Sequence, residues 1–163
     1  MNQQWSLPDL CDAHPEKVRV AEPMFNQYGG RAAFWGQIST VICFEDNSLV
    51  ADRVSESGLG RVLVVDAGGS LRCGMLGDNL AQKALDNEWA GLIIYGCIRD
   101  VDIIERMPLG VAALATHPMK SVKRNVGRRD EIASFAGIDW VPDEYVYADN
   151  NGILVSKGQL SID

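Results

Sequence analysis

Residues Leu92–Asp100 read LIIYGCIRD, seven nearly continuous apolar positions followed at once by an arginine and an aspartate. A short apolar run of this kind predicts a central strand that is buried on both faces. Charged residues directly after such a strand lie at its carboxyl end, where α/β proteins usually place their ligand sites. The stretch therefore predicts both a strand in the middle of a sheet and a candidate site at its edge.

The segments on either side of this strand alternate between strand and helix patterns. Before it, RVLVVDAGG (Arg61–Gly69) predicts a strand, and GDNLAQKALDNEWAG (Gly77–Gly91) predicts an amphipathic helix that Gly91 ends. After it, DVDIIERM (Asp100–Met107) predicts a short helix, and GVAALAT (Gly110–Thr116) predicts another strand. This alternation is typical of an α/β fold.

The outer parts of the chain add further elements and predict a mixed sheet. They are a helix at SLPDLCDAH (Ser6–His14), a strand at FWGQISTVICF (Phe34–Phe44), a helix over Glu45–Gly58 with Gly58 as its C-cap, a short strand at SLRCGML (Ser70–Leu76), and short strands around the Asn150-Asn151-Gly152 turn. We find no repeat or long linker, so residues 1–163 are expected to form one domain.

Composition excludes several classes of protein. The 163 residues carry 15 basic and 22 acidic side chains, a net charge of −7, which argues against a direct nucleic-acid binder. Basic residues do cluster in Lys120–Arg129, where a solvated loop is the favoured interpretation. The sequence shows neither a signal-peptide pattern nor an apolar stretch of membrane-spanning length, so we expect a cytoplasmic protein without a membrane partner.

The cysteines and histidines do not predict a metal cluster. The sequence has four cysteines without C-x-x-C spacing and two histidines, so no zinc-type ligand set is visible. A nucleophilic Cys73 or Cys97 is a weak third hypothesis, because each lies in or beside an apolar strand and buried thiols are normally inert.

Two short segments are candidates for a site, and each also has a purely structural interpretation. Asp78 or Asn79 can cap the helix that follows Gly77, or the positive helix end can dock a small carboxylate there. Asp100 can cap the next helix and Arg99 can form a surface ion pair. Alternatively, the aspartate binds a hard cation and the guanidinium holds an oxyanion.

Taken together, the segments have a recognisable spacing: Gly74, three residues, Asp78, twenty residues, then Arg99-Asp100. This pattern resembles that of the 4-hydroxy-4-methyl-2-oxoglutarate aldolases, which share a family with the regulator of ribonuclease E activity A. The resemblance extends over EPMFNQYGGRAAFWGQISTV, over residues 60–102 and over the closing YADNNGILVS.

The resemblance implies a trimer of swivelling β/β/α-type domains with active sites between subunits. It implies a class II aldolase that needs a divalent cation, Mg²⁺ or Mn²⁺, and cleaves 4-hydroxy-4-methyl-2-oxoglutarate to two pyruvates through an enolate. Asp100 would bind the metal and Arg99 the substrate. Gly77, Asp78, Asn79 and Leu80 would bind the 2-oxo acid end, and Asp78 would assist proton transfer.

Other expectations accompany this resemblance. The shared enolate implies a second activity, oxaloacetate decarboxylation. The alternative function is a protein-binding inhibitor of ribonuclease E without catalysis, although this chain keeps the aldolase pattern that the regulatory members have lost. An acidic group from a neighbouring subunit is also implied, and the sequence does not rank Asp143, Glu144 and Asp149 as its source.

Overall fold

The computed structural model describes residues 4–162, and fifteen helices and strands lie within them. In chain order they are α1 (Leu7–Ala13), β1 (Val18–Val20), β2 (Asn26–Gln27), β3 (Phe34–Ile42), α2 (Ser48–Val54), β4 (Val62–Asp66), α3 (Asp78–Asp86), β5 (Gly91–Ile98), α4 (Val101–Ile104), β6 (Gly110–Thr116), β7 (Arg128–Arg129), β8 (Ala133–Phe135), β9 (Ile138–Trp140), β10 (Tyr145–Asp149) and β11 (Gly152–Ser156). No helix among the described residues is long and apolar enough to cross a membrane.

Nine strands form one mixed sheet, which confirms the predicted α/β class. Along the sheet the order is β1-β11-β10-β3-β4-β5-β6-β2, and β7 pairs with β3. The four central strands β3, β4, β5 and β6 run parallel, and the outer pairings are antiparallel. Because parallel strands point the same way, the carboxyl ends of the central four lie at one edge of the sheet.

The central strands are buried on both faces, as their continuous apolar runs predict. In β4, Leu63 and Val65 face a core that includes side chains of α2, α3 and α4, whereas Val62 and Val64 face a second core. That second core includes β8, β9, β10 and β11, with Trp140 fully buried. Alternation along a strand therefore places successive residues in two different cores.

Two predicted helix ends are wrong, and the glycine at each predicted end serves a close contact instead. The α2 helix ends at Val54, not at Gly58. Gly58 instead lies against Trp89, where a Cβ would come within 2.7 Å of Trp89 atoms. The α3 helix ends at Asp86, and Gly91 instead begins β5. A glycine marks a close approach here rather than a helix end.

The short strand predicted at Ser70–Leu76 is also wrong. After β4 the chain turns at Gly68 and Gly69, both with positive φ, and then crosses the end of the sheet with a single isolated bridge position, Gly74. The alternation of apolar residues is real, since Cys73, Met75 and Leu76 are buried. These residues bury their side chains without forming a regular ladder, which sequence periodicity alone does not distinguish.

Candidate functional site

Three chain segments meet at the carboxyl end of β5 and form the floor of a cleft. Gly74 forms isolated parallel bridges with Cys97, near the end of β5, and with Lys120. The Arg99 amide donates to the carbonyl of Leu76 at 2.9 Å. These backbone contacts bring the predicted residues of the two separate sequence segments side by side.

Asp100 lies two residues after the end of β5, and it lines this cleft. Its backbone is left-handed, with φ 58° and ψ 36°, a conformation that aspartate adopts more readily than most residues. The residue does precede α4, as predicted, but its side chain does not cap that helix. Instead, Oδ2 accepts a hydrogen bond from the Asp78 amide at 3.0 Å. Asp100 therefore caps α3, the helix that carries the other predicted site residues.

Gly77 accommodates the close approach of that carboxylate. A Cβ built on Gly77 would lie 2.7 Å from Asp100 Oδ2 and 3.5 Å from Arg99 Nε. Gly74 is nearly as restricted, because its Cβ would lie 3.1 Å from the His117 carbonyl oxygen and 3.2 Å from Arg99 Cγ. Both glycines thus leave room for the Arg99-Asp100 pair.

The first turn of α3 supplies the predicted Asp78, Asn79 and Leu80, all of which line the cleft. The prediction that Asp78 or Asn79 caps this helix is wrong, because Gly77 occupies the N-cap position. Asp78 Oδ1 accepts a hydrogen bond from the Asn79 amide at 2.9 Å. Two carboxylates of the chain therefore lie at the positive end of this helix, where negative charge is stabilised.

Arg99 does not form a surface ion pair, which is the purely structural role that its sequence position also allowed. Among residues 4–162 its guanidinium has no acidic partner within ion-pair distance, and its only hydrogen bond is a long one, 3.4 Å, to the carbonyl of Pro118. The side chain is half-buried beside Gly74 and Gly77. Its charge is thus available to an anion in the cleft.

The cleft encloses about 350 Å³ and brings together all the residues predicted for the site. Its lining is Asn47, Ala51, Gly74, Gly77, Asp78, Asn79, Leu80, Lys83, Arg99, Asp100, Lys120, Ser121 and Lys123. The sequence alone does not point to Asn47, Ala51 or Ser121, and it places Lys120 and Lys123 in a solvated loop. Both lysines are indeed exposed, but they also line the cleft. The basic run Lys120–Arg129 is the one sequence feature that marks this part of the cleft, although nothing local connects it to the other site residues.

Residues 119–127 form a second side of the cleft, and we term them the lysine loop. The buried carboxylate of Asp46 holds this loop in place. Asp46 is only 3% exposed. Oδ2 accepts the amides of Arg124 and Val126 at 2.9 and 3.1 Å, and Oδ1 accepts the amide and hydroxyl of Ser48. Burial alone would raise the pKa of Asp46, but these hydrogen bonds lower it to about 2. The lysine loop is thus fastened to the start of α2.

None of the three acidic residues considered for a shared site lines this cleft. Asp149 is buried and accepts the amides of Leu7 and Asn151 at 2.9 and 2.7 Å. Glu144 Oε1 accepts a hydrogen bond from Arg19 Nη2 at 2.7 Å. Asp143 lies in the turn before β10 with a positive φ of 72°. Two of the three carboxylates are therefore already used in folding this subunit.

The cysteines are free thiols, and three of them are buried. Burial raises the pKa of Cys73 and of Cys97, and it raises the pKa of Cys43 to about 12. A thiol with a raised pKa is protonated near neutral pH and is a poor nucleophile. This geometry argues against the cysteine-enzyme hypothesis.

The chemistry of the cleft fits a hard divalent cation with few protein ligands. Among the described residues there is no group of three or more His, Cys, Asp or Glu side chains that could hold a metal. Asp100 is exposed, and only its Oδ2 accepts a hydrogen bond within residues 4–162, so Oδ1 is open to the cleft. One carboxylate with several waters is a typical magnesium environment.

The sequence of this chain matches a known family along most of its length. A family model described as RraA-like, Aldolase/RraA, matches residues 7–155. An Azotobacter vinelandii protein named "Putative 4-hydroxy-4-methyl-2-oxoglutarate aldolase" is 58% identical over 159 residues, which cover 98% of each chain.

Solved structures share the fold. A Geobacillus kaustophilus structure, described as an S-adenosylmethionine:2-dimethylmenaquinone methyltransferase, is 46% identical with a TM-score of 0.93, covering 95% of this chain and 96% of that one. The "RNA-processing inhibitor RraA from Thermus thermophilis" is 39% identical with a TM-score of 0.92, covering 96% of this chain and 94% of that one. With most of its length matched by the family model and these relatives, the chain belongs to the RraA-like family.

Proposed function

We propose that this protein is a divalent-metal-dependent class II aldolase that cleaves 4-hydroxy-4-methyl-2-oxoglutarate to two pyruvates. The observation that carries the proposal is the arrangement of Arg99 and Asp100 in one cleft. Both side chains lie beside the first turn of α3, and neither forms an ion pair within residues 4–162. The name of the Azotobacter relative supports the same reaction.

Asp100 would hold the cation, Mg²⁺ or Mn²⁺, through Oδ1, while the Asp78 amide fixes Oδ2. The bound cation would supply a Lewis acid that polarises the 2-oxo group of the substrate. Arg99 would bind the adjacent carboxylate and offset negative charge on the 2-oxo oxygen, since a guanidinium donates two parallel hydrogen bonds. Gly77, Asp78, Asn79 and Leu80 would surround this 2-oxo acid end.

The reaction breaks the bond between C3 and C4 of the substrate. The proton leaves the C4 hydroxyl, C4 becomes the carbonyl of one pyruvate, and the bond electrons pass toward the 2-oxo oxygen of the other fragment. A proton then returns to C3, which becomes the methyl group of the second pyruvate. Asp78 is the side chain we assign to this proton transfer, directly or through one water. Oxaloacetate would lose its C4 carboxylate as CO₂ by the same flow of electrons.

We further propose that the single domain acts as a homotrimer in the cytoplasm and that a neighbouring subunit completes the cleft. Asp149 and Glu144 are engaged inside their own subunit, so Asp143 is the one of the three candidates whose carboxylate accepts no hydrogen bond among the described residues. Asp143 is therefore our candidate for an acidic group that a neighbour contributes.

A coupled assay of pyruvate formation tests the aldolase proposal. Purified protein with Mg²⁺ or Mn²⁺ is supplied with 4-hydroxy-4-methyl-2-oxoglutarate, and separately with oxaloacetate. We expect metal-dependent pyruvate release that stops when a chelator is added and returns with fresh metal. Absence of pyruvate from both substrates at every metal tested would contradict the proposal.

The second candidate function is inhibition of ribonuclease E by protein binding. The Thermus structure described as an RNA-processing inhibitor favours it, because that chain matches this one along nearly its full length. Binding of this kind would be independent of metal. A pull-down with chelator present, together with an RNA-cleavage assay in Mg²⁺ that uses the Asp100→Asn variant, distinguishes it from catalysis, and the two functions are compatible.

A further inference from the structure

The lysine loop carries two cationic side chains that the proposed reaction does not use. Lys120 and Lys123 line the same cleft as Arg99 and Asp100. Within residues 4–162 neither ammonium group forms an ion pair, although this part of the chain contains many more acidic than basic side chains overall. Lysines left without acidic partners beside a cleft are positioned for an anion that the chain does not supply.

The backbone that carries these lysines is held in place at both ends. At its start, the bridge to Gly74 fixes Lys120 against the floor of the cleft. Farther along, the buried Ser121 hydroxyl accepts the Asn47 amide at 3.2 Å, and Lys123 Nζ donates to Asn47 Oδ1 at 3.1 Å. The Asp46 carboxylate then binds the next part of the loop. The two lysines are thus presented by an ordered segment.

The charges of the cleft favour a ligand with more than one negative group. Lys83 of α3 joins Arg99 and the two loop lysines, so four cationic side chains line the same cleft as the carboxylates of Asp78 and Asp100. A divalent cation on Asp100 would increase this positive excess. If Arg99 holds one substrate carboxylate, Lys120 and Lys123 of the lysine loop still lack an anionic partner.

We propose that Lys120 and Lys123 bind the second carboxylate of a dicarboxylic 2-oxo acid, so that the lysine loop selects dicarboxylates over monocarboxylates. This inference rests on the proposed function, because it uses the same cleft and places the 2-oxo acid end at Arg99. The two banks then recognise opposite ends of one substrate. The lysines determine specificity and touch no reacting bond.

Steady-state kinetics test this specificity in the intact protein. Lys120→Met and Lys123→Met keep side-chain length and remove the charge, and Arg124→Gln is the matched control in the same loop but outside the cleft. For 4-hydroxy-4-methyl-2-oxoglutarate we expect each lysine variant to raise KM roughly ten-fold with kcat nearly unchanged. For the monocarboxylate 4-hydroxy-2-oxopentanoate we expect no change. Lys123→Arg should restore most of the preference.

Calorimetric binding separates this inference from the aldolase proposal. With Mg²⁺ present, 2-oxoglutarate and 2-oxopentanoate serve as probes, because they have the same five-carbon chain and differ in one carboxylate. We expect wild-type protein to prefer 2-oxoglutarate and both lysine variants to lose that preference. This result would stand even if no pyruvate were released in the assay above. Equal loss of affinity for both probes, or loss in Arg124→Gln as well, would overturn the inference.

Discussion

The two banks of the cleft are built by different means. The sheet bank, Gly74–Gly77 with Arg99–Asp100, is set by backbone bridges and by contacts so close that a Cβ at either glycine would crowd its neighbours. The lysine loop shares a backbone bridge with Gly74 at Lys120. Beyond that point it is held mainly by hydrogen bonds in which the side chain of Asp46, Ser121 or Lys123 takes part, and its lysines are exposed. The first bank is fixed to the sheet and suits bond-making chemistry. The second suits recognition, where side chains can vary while the fold stays the same.

The sharpest test of this contrast is the loss of the carboxylate on the sheet bank. Asp100→Asn keeps an oxygen that can accept the Asp78 amide but removes the charge that would hold the metal. We expect metal-dependent pyruvate release to fall by roughly a hundred-fold or more, since the electrostatic stabilisation of the transition state is lost. Circular dichroism and thermal unfolding should match the wild type. Activity that persists at the wild-type level would remove Asp100 from the site.

A smaller effect is expected when the same carboxylate is moved rather than removed. In Gly77→Ala the new methyl group would lie 2.7 Å from Asp100 Oδ2, so the carboxylate must shift. Displacing a reacting group by about 1 Å costs on the order of a hundred-fold, and we expect a loss between ten-fold and that value.

Two other glycines calibrate this experiment. Gly74→Ala, with its nearest contact at 3.1 Å, should lose less activity than Gly77→Ala. Gly158→Ala has no atom within 4 Å of the new Cβ and should behave as wild type. An equal loss in all three variants would mean that general destabilisation, rather than the position of Asp100, explains the result.

The role of Asp46 as the anchor of the lysine loop is tested by the free energy of unfolding and by its dependence on pH. In Asp46→Asn the amide NH₂ would face a backbone or hydroxyl donor, because both carboxylate oxygens accept hydrogen bonds. Leaving buried donors unsatisfied costs about 1–3 kcal/mol in the free energy of unfolding at neutral pH. Chemical denaturation measures this cost. Asp52→Asn, on the exposed face of α2, is the control and should change little.

The pH dependence of the same variant has a defined sign. Because the pKa of Asp46 is lowered to about 2 in the folded protein, ionised Asp46 stabilises the fold fully above its unfolded value, near pH 4. That contribution is lost as the pH falls from about 4 to about 2. Wild-type stability should therefore decrease more steeply than Asp46→Asn stability over this window. Parallel curves would show that Asp46 is not the group that titrates.

The smallest effect is expected at the cysteines, which belong to neither bank. Alkylation of the native protein near neutral pH should modify the half-exposed Cys11 first and leave activity unchanged. Cys43, Cys73 and Cys97 should react only after unfolding, since burial raises their pKa values. Peptide mass spectrometry identifies the modified thiols. Rapid inactivation of native protein by modification of Cys73 or Cys97 would revive the cysteine hypothesis.

The sequence predicts the sheet bank better than the lysine loop, for a physical reason. Apolar runs such as Gly110–Thr116 mark buried strands, and Arg99-Asp100 directly follows one, so topology alone places the pair at the sheet edge. The basic segment has no such periodicity. Its position depends on the long-range bonds from Asp46, which no local pattern reveals. For the same reason Ser70–Leu76 resembles a strand although only one of its residues bridges the sheet.

The left-handed backbone at Asp100 also bears on how this fold can evolve. Asparagine and glycine tolerate such a conformation about as well as aspartate does, so either can replace Asp100 with little strain. Asparagine also keeps an oxygen that can accept the Asp78 amide, so that one substitution would delete the proposed metal ligand and leave the sheet, the helices and the outer surface intact. The two proposed functions, catalysis and protein binding, would therefore be separable by a single substitution.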